Sequence, residues 1–454
     1  MKVIKRIILS ALSLMAFTVF AYEPPPKTEL QMRYQKLAEQ MPSNSVLILL
    51  SGDAKNRSND VDFPFRQTNE INYFTGSNLP KTSFALVKNG DEATRIIFAQ
   101  KPNLFYETWE GRLPTFKDIK EQTGVETVSD EAHFNRFISS LFNGWGWGGK
   151  RFNEFTQAFN DGQATVLLHL GRRNHATDSD RKENKLAKQL KDTYQELNVR
   201  NFSKTLNDFR EIKSEWELAQ LQRAIDITGN AQKAAMKRVK TAEFENQIQA
   251  TIEFTFRDQG ACCWGFPSII GTGDNATILH YVENDAKIKH DQLFLADIGA
   301  EVNYYSADVT RTFPASGKFT KPQKEIYQAV LASQQAAIDM IKPGVEYRTI
   351  STKAWKVLGE HLLKMGLITK VSFPQVRMYF LHGLSHGLGM DVHDTWDRSR
   401  AFRENMVITV EPGLYIRKKD VVKNDTFLSL TAEEQEKIKA RLDVYNGIGV
   451  RIED

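Results

Sequence analysis

The sequence has 454 residues, enough for two or three domains and a sizeable core. Its 60 basic and 56 acidic residues give a formal net charge of +4. Lys2, Lys5 and Arg6 precede every acid; without the first 21 residues the balance is 57 to 56, so the basicity belongs to a targeting segment and gives no electrostatic case for nucleic-acid binding.

Residues 1–21 read as a cleaved secretory signal peptide. A basic start leads into the apolar run Ile7 to Ala21, and Val19-Phe20-Ala21 sets small residues at the cleavage point. The run is short for a membrane span, and Pro24-Pro25-Pro26 follows it. An uncleaved anchor is the alternative. No Cys stands at the cleavage point, which argues against a lipid anchor, and no later stretch is apolar enough to cross a bilayer. The expectation is a secreted or periplasmic chain with no stable membrane anchor after cleavage.

Residues 22–205 predict an α/β domain. Glu29 to Met41 has helical spacing, and Ser45 to Leu50 is a buried strand candidate. Ser83 to Val87 and Arg95 to Gln100 read as strands around a Lys88–Asp91 turn. Phe142 to Gly149 reads as a flexible aromatic loop, either a plain connection or a contact to a partner subunit or lid. Val166 to Leu170 is another strand, and Asp178 to Leu190 a charged, solvated helix.

Residues 206–454 form the second unit, with an α+β pattern. Ser214 and Glu217 fit a capping box ahead of Leu218, Leu221 and Ile225 at helical spacing. A helix over Ala242 to Arg257 follows. Cys262 and Cys263 are adjacent, a spacing that strains a disulfide, so they read as small core residues, with a redox or metal role as the lesser alternative. Leu293 to Phe313 reads as a hairpin. Centred between Val302 and Asn303, it sets Asp297 opposite Asp308. Two buried carboxylates facing each other need a shared proton, a basic partner or a cation; the bland reading is two exposed Asp residues beside a turn. Helices over Gln323 to Ile341 and Tyr347 to Met365 come next, separated by Pro343-Gly344.

Three further segments carry candidate ligands. His382 to Asp394 contains His382, His386 and His393. Its two-His spacing is that of zincins, but no Glu follows His382, and Gly383, Gly387 and Gly389 predict a Gly-rich strand and loop instead of a helix. Met406 to Gly413 is a strand with Val407, Thr409 and Glu411 on one face, and Gly447 to Asp454 a strand with Arg451 and Glu453 on one face. Together Asp297, Asp308, His386, Glu411 and Glu453 supply four carboxylates and one imidazole. The four negative charges match two divalent cations, and oxygen-rich ligation favours Mn²⁺-like ions.

From about Tyr34 to the end the chain resembles the Xaa-Pro aminopeptidases of the pita-bread metallopeptidase family, which also includes prolidases and methionine aminopeptidases. The resemblance rests on Asp62-Phe-Pro-Phe-Arg-Gln67 with Asn72-Tyr-Phe-Thr-Gly76, Ile278 to Asn284, the Asp297/Asp308 hairpin, His382-Gly-Leu-Ser-His386, Val392-His-Asp394, Glu411-Pro-Gly413 and Val450-Arg-Ile-Glu453. It implies an aminopeptidase P type N-terminal domain followed by a pita-bread catalytic domain. The implied activity is dinuclear metal-dependent hydrolysis of the bond between an N-terminal residue and a penultimate proline. The alternatives are a prolidase and a non-catalytic peptide-binding relative. The resemblance implies that Asp297 holds one metal, Asp308 and Glu453 bridge both, and His386 and Glu411 hold the other. The metals would be two divalent ions, Mn²⁺ first, with Co²⁺ or Zn²⁺ as alternatives. It makes Glu411 the proton shuttle and gives His280, His382 and His393 the scissile carbonyl and substrate. Arg451 would support the cluster, and the N-terminal domain would mediate homo-oligomer contacts, dimer or tetramer. Two departures stand out: Phe266 occupies a place where some relatives carry Tyr, and Glu453 lies one residue from the end of the sequence, where fraying is expected.

Overall fold

The computed structural model describes residues 22–171 and 181–454. The expected signal peptide lies outside the described residues, as does the start of the charged helix, which is seen from Lys182 to Thr193. Among the described residues no helix is long and apolar enough to cross a membrane.

Six strands form the N-terminal sheet, in the order Thr127–Asp130, Glu92–Ala99, Ser83–Asn89, Ser45–Leu49, Thr165–Leu168, Asn198–Asn201. Ser45–Leu49 is central and buried along its whole length, as an unbroken apolar run between two covered faces requires. It pairs antiparallel with Ser83–Asn89 and parallel with Thr165–Leu168. The aromatic segment is less free than its composition suggests. Phe142 ends the helix Phe134–Asn143 in the core, and Trp147 packs on Phe98, Phe137 and Phe152, so only the Trp145 ring, 75% exposed, stands out in solvent.

The second unit opens at the expected capping box. Ser214 Oγ accepts from Glu217 N and Glu217 Oε2 accepts from Ser214 N, starting the helix Glu215–Arg238. This helix and Glu245–Asp258 cover one face of the strand Leu293–Ile298, where Phe294, Ala296 and Ile298 are buried against Ala231, Ala235, Ile252 and Phe256. Period-two alternation turns Leu295 and Asp297 to the other face. Helices Lys321–Ile338 and Tyr347–Met365 close the far side over Leu414 and Val450.

The hairpin differs from its expected register. Asp297 pairs with Thr310, and Val302 with Tyr305, so the turn is centred between Asn303 and Tyr304. Both turn residues have positive φ, 48° and 75°, the requirement of a two-residue type I′ turn. Asn tolerates this conformation. Tyr304 is held in it, because its hydroxyl accepts from Gln67 N at 2.9 Å and the Arg66 guanidinium lies 4.6 Å over its ring. The two-residue slip keeps Asp297 and Asp308 on one face as diagonal instead of direct neighbours.

The cysteines are not core residues. Cys262, exposed, precedes the edge strand Cys263–Trp264, and Cys263, half-buried, opens it. The chain end is also tied down. Glu453 N donates to Thr310 O at 3.1 Å, Val410 N to Asp454 O at 2.8 Å, and Arg311 binds both Glu453 O and the Asp454 carboxylate.

A Cβ on Gly299 would lie 1.8 Å from Ala307 O and 2.8 Å from the Phe266 ring. Gly299→Ala is therefore expected to lower unfolding stability by at least about 2 kcal/mol, measured by urea denaturation. An unchanged midpoint would contradict this hairpin packing.

Candidate metal centre

One cavity of about 540 Å³ gathers the candidates from five separate stretches of chain. Asp297, Asp308, His280, His382, His386, His393, Glu411, Arg451 and Glu453 all line it. The hairpin contributes Asp297 and Asp308. His386 and Glu411 face each other because the extended segments 384–388 and 407–411 pair, Thr409 N donating to His386 O and Glu411 N to Leu384 O. Glu453 enters from just past the last strand, Gly449–Arg451, beside Thr310.

His386 Nδ1 lies 2.9 Å from Gly387 O, which directs Nε2 into the cavity. That nitrogen stands 3.4 Å from Asp308 Oδ2, 3.7 Å from Glu411 Oε1 and 3.9 Å from Glu453 Oε1. Asp308, His386 and Glu453 each offer a ligand atom within 4.8 Å of the others. His382 lies with Nδ1 3.4 Å from Glu411 Oε2. The His393 ring lies tilted 4.1 Å from the His386 ring at the exposed rim, which His280 shares.

Arg451 is buried at the base. It pairs with Asp297 Oδ2 and donates to Tyr415 OH at 2.8 Å and to Thr310 Oγ1 at 3.1 Å. Tyr415 OH in turn lies 2.8 Å from His382 Nε2. Thr310 Oγ1 donates to Glu453 Oε2 at 2.7 Å. Tyr415, Thr310 and Arg398, which also lines the cavity, were not singled out from the sequence. The alternation Asp308, Thr310, Thr312 could have found Thr310; nothing local marks Tyr415 or Arg398.

Burial and mutual repulsion push three of the carboxyls up, those of Asp308, Glu411 and Glu453. Asp308 and Glu411 rise well above the ordinary range, each through desolvation and then Glu453, while Glu453 is pushed up to about 8 by desolvation and then Asp297. Desolvation lowers the imidazoles, His382 to about 3 and His386 to about 4, so both are neutral at neutral pH.

The residues fit divalent cations. Asp297 Oδ1 and Asp308 Oδ1 are buried and accept no hydrogen bond among the described residues, and an orphaned carboxylate oxygen is costly unless a cation takes it. Four carboxylates with one neutral imidazole suit oxygen-preferring ions of the first transition row.

Residues 219–454 match metallopeptidase family M24, and residues 30–146 match the family described as aminopeptidase P, N-terminal domain. The chain belongs to metallopeptidase family M24. This M24 chain is 32% identical over 438 residues to the Xaa-Pro aminopeptidase of Escherichia coli (strain K12), covering 94% of this chain and 91% of that one. It is 30% identical over 425 residues to Xaa-Pro aminopeptidase 3 of Mus musculus, covering 91% and 76%. The structure of aminopeptidase P from E. coli with the inhibitor Pro-Leu superimposes with a TM-score of 0.79 at 30% identity, covering 95% of this chain and 92% of that one. The architecture is thus an aminopeptidase P N-terminal domain followed by a pita-bread domain, and the chain is a metal-dependent hydrolase.

The shifts predict how metal-free stability varies with pH. Glu453, raised from 4.5 to about 8, binds more protons folded than unfolded across that window, so its contribution falls as pH rises. His382 and His386, lowered from 6.5, act oppositely but only below 6.5. The metal-free chain should therefore lose stability between pH 6.5 and about 8, and a saturating divalent cation should remove that loss. Urea midpoints at the two pH values, with and without metal, provide the check; a rise in the metal-free midpoint over this window would contradict it.

Proposed function

We propose that this M24 metallopeptidase is an Xaa-Pro aminopeptidase, releasing an N-terminal residue that precedes proline, and that its centre takes two divalent ions, Mn²⁺ first. The observation that carries the reading is the single cavity holding four carboxylates, His386 and three further imidazoles, in a chain whose relatives over nearly its whole length are named Xaa-Pro aminopeptidase. Four ionised carboxylates against Arg451 leave three negative charges; one divalent ion undercompensates them, and two leave a positive charge for an anionic reactant.

Asp297, Asp308, His386, Glu411 and Glu453 would hold the ions. When bound, these supply Lewis acidity that makes water nucleophilic at neutral pH and polarises the scissile carbonyl. The chain's own groups do the rest. Glu411 is the most accessible of the four carboxylates, 17% exposed against 2–10% for the others, and its Oε1 and Oε2 are set to take a proton and pass it to the departing proline nitrogen. Tyr415, fixed by Arg451, orients His382, whose Nδ1 faces Glu411. His393 and His280, at the rim, present donors to the carbonyl and the peptide. Arg451 pairs with Asp297 and holds it in place.

Export to a secreted or periplasmic location is supported by the basic, then apolar pattern of residues 1–21. Homo-oligomer formation is supported by Leu104, Phe105 and Trp109, exposed by 82%, 76% and 75% on the helix Leu104–Glu110 of the N-terminal domain.

Glu411→Gln should lower kcat on an Xaa-Pro-Yaa tripeptide by about 10²–10⁴. Wild-type rates on the tripeptide and on the Xaa-Pro dipeptide decide between readings. Turnover of both, with release of the first residue, supports the aminopeptidase; turnover of the dipeptide alone makes the chain a prolidase.

A further inference from the structure

Outside the catalytic cavity, the described residues hold one other cluster of metal-ligating side chains: Cys262, Cys263 and Glu301. Consecutive residues of a regular strand point to opposite faces. Here they do not. Cys262 precedes the two-residue strand Cys263–Trp264, and the two Sγ atoms lie 2.7 Å apart. Both face the same oxygen, Glu301 Oε1, at 3.7 and 3.8 Å.

Glu301 is 5% exposed, on the neighbouring strand Ala300–Val302. Its carboxylate is paired with Arg66, whose Nη2 lies 3.0 Å and Nε 3.1 Å from Oε2. Arg66 is itself anchored to Asn69 Oδ1 and Met390 O. The carboxylate therefore has a fixed orientation, with Oε1 turned toward the sulfurs. Two thiolates and Glu301 against Arg66 make a net charge of minus two, the complement of one divalent ion. Cys262 is exposed, giving an entry path and an open fourth position.

We propose that Cys262, Cys263 and Glu301 form a second metal site of this chain, taking a thiophilic divalent cation of the zinc class. Its two sulfurs and one carboxylate select against the ions that suit the oxygen-rich catalytic centre. Binding replaces two thiol protons with the ion, so the Sγ–H bonds break and two protons are released to solvent. The bound ion ties residues 262–267 to the strand Ala300–Val302. Phe266 and Pro267 of that stretch line the catalytic cavity, so the ion braces one of its walls.

The test is a Cd²⁺ titration of the full, reduced, metal-stripped chain, followed by thiolate-to-metal charge-transfer absorbance. These are the sequence's two cysteines, so any such band reports this site alone. The expected result is saturation at one Cd²⁺ per chain, displacement by Zn²⁺, half the amplitude in Cys263→Ser, and none in the Cys262→Ser/Cys263→Ser double variant. Glu301→Gln should bind at least about tenfold more weakly, with circular dichroism confirming that each variant is folded. If Glu301→Gln does not fold, the single and double Cys variants carry the decision. No band, a band indifferent to folded Glu301→Gln, a ratio of one ion to two chains, or a chain two hydrogens lighter with no titratable thiols would overturn the proposal.

Discussion

Four carboxylates are forced into one low-dielectric cavity, with Arg451 as the cation buried among them, and much of the catalytic domain is arranged to make that tolerable. Removing a buried charge's partner costs about 3–5 kcal/mol. Three of the four residues are accordingly held by fixed partners: Asp297 by Arg451, Glu453 by Thr310, and the Glu411 backbone by Leu384. Asp297 Oδ1 and Asp308 Oδ1 are left buried without hydrogen-bond partners among the described residues, which a cation would relieve. The same repulsion that would destabilise the centre without cations makes it selective for charge.

Rigidity at this point depends on the N-terminal domain. The hairpin turn that aims Asp297 and Asp308 has a Tyr in a left-handed conformation, and such a residue persists only where its surroundings over-determine it. Arg66 and Gln67 supply that support from the other domain, and Tyr304 and Tyr305 pack into a core cluster with Tyr34, Phe74 and Leu221. Tyr305 OH also donates to Glu217, whose carboxylate closes the capping box of the helix Glu215–Arg238. The domains thus share one core, and the N-terminal signature residues act on the catalytic hairpin through these contacts.

The sequence revealed most where local rules and global fold agree. Buried strands, the capping box at Ser214 and the helix Tyr347–Met365 follow from periodicity and end signals alone. The hairpin existed where expected, but its centre lay one residue later, because Tyr304 takes a positive φ that tertiary contacts alone can support. Cys262 and Cys263 looked like core residues because Cys is so often buried, yet their place on an edge strand is decided by sheet order, which no local pattern reports. The helices Lys418–Val421, Asp425–Leu428 and Ala432–Tyr445, between Glu411 and Arg451, went unread. Only the first and last candidate ligands of that region carried a recognisable pattern. Tyr415 was invisible for a related reason: its hydroxyl matters only because Arg451 and His382 reach it from elsewhere in the chain.

The catalytic power of this chain rests on a metal centre whose proposed ligands come from the hairpin, His386, Glu411 and Glu453, braced by the N-terminal domain. Its most direct test is a calorimetric titration of the metal-free full chain with Mn²⁺, an ion too hard to favour thiolates, with hydrolysis of an Xaa-Pro-Yaa tripeptide followed at each addition. Two ions bound per chain, with release of the first residue rising as they load, is the predicted result. Full hydrolysis in excess chelator, or saturation of activity by a single ion with no second binding event, would contradict it.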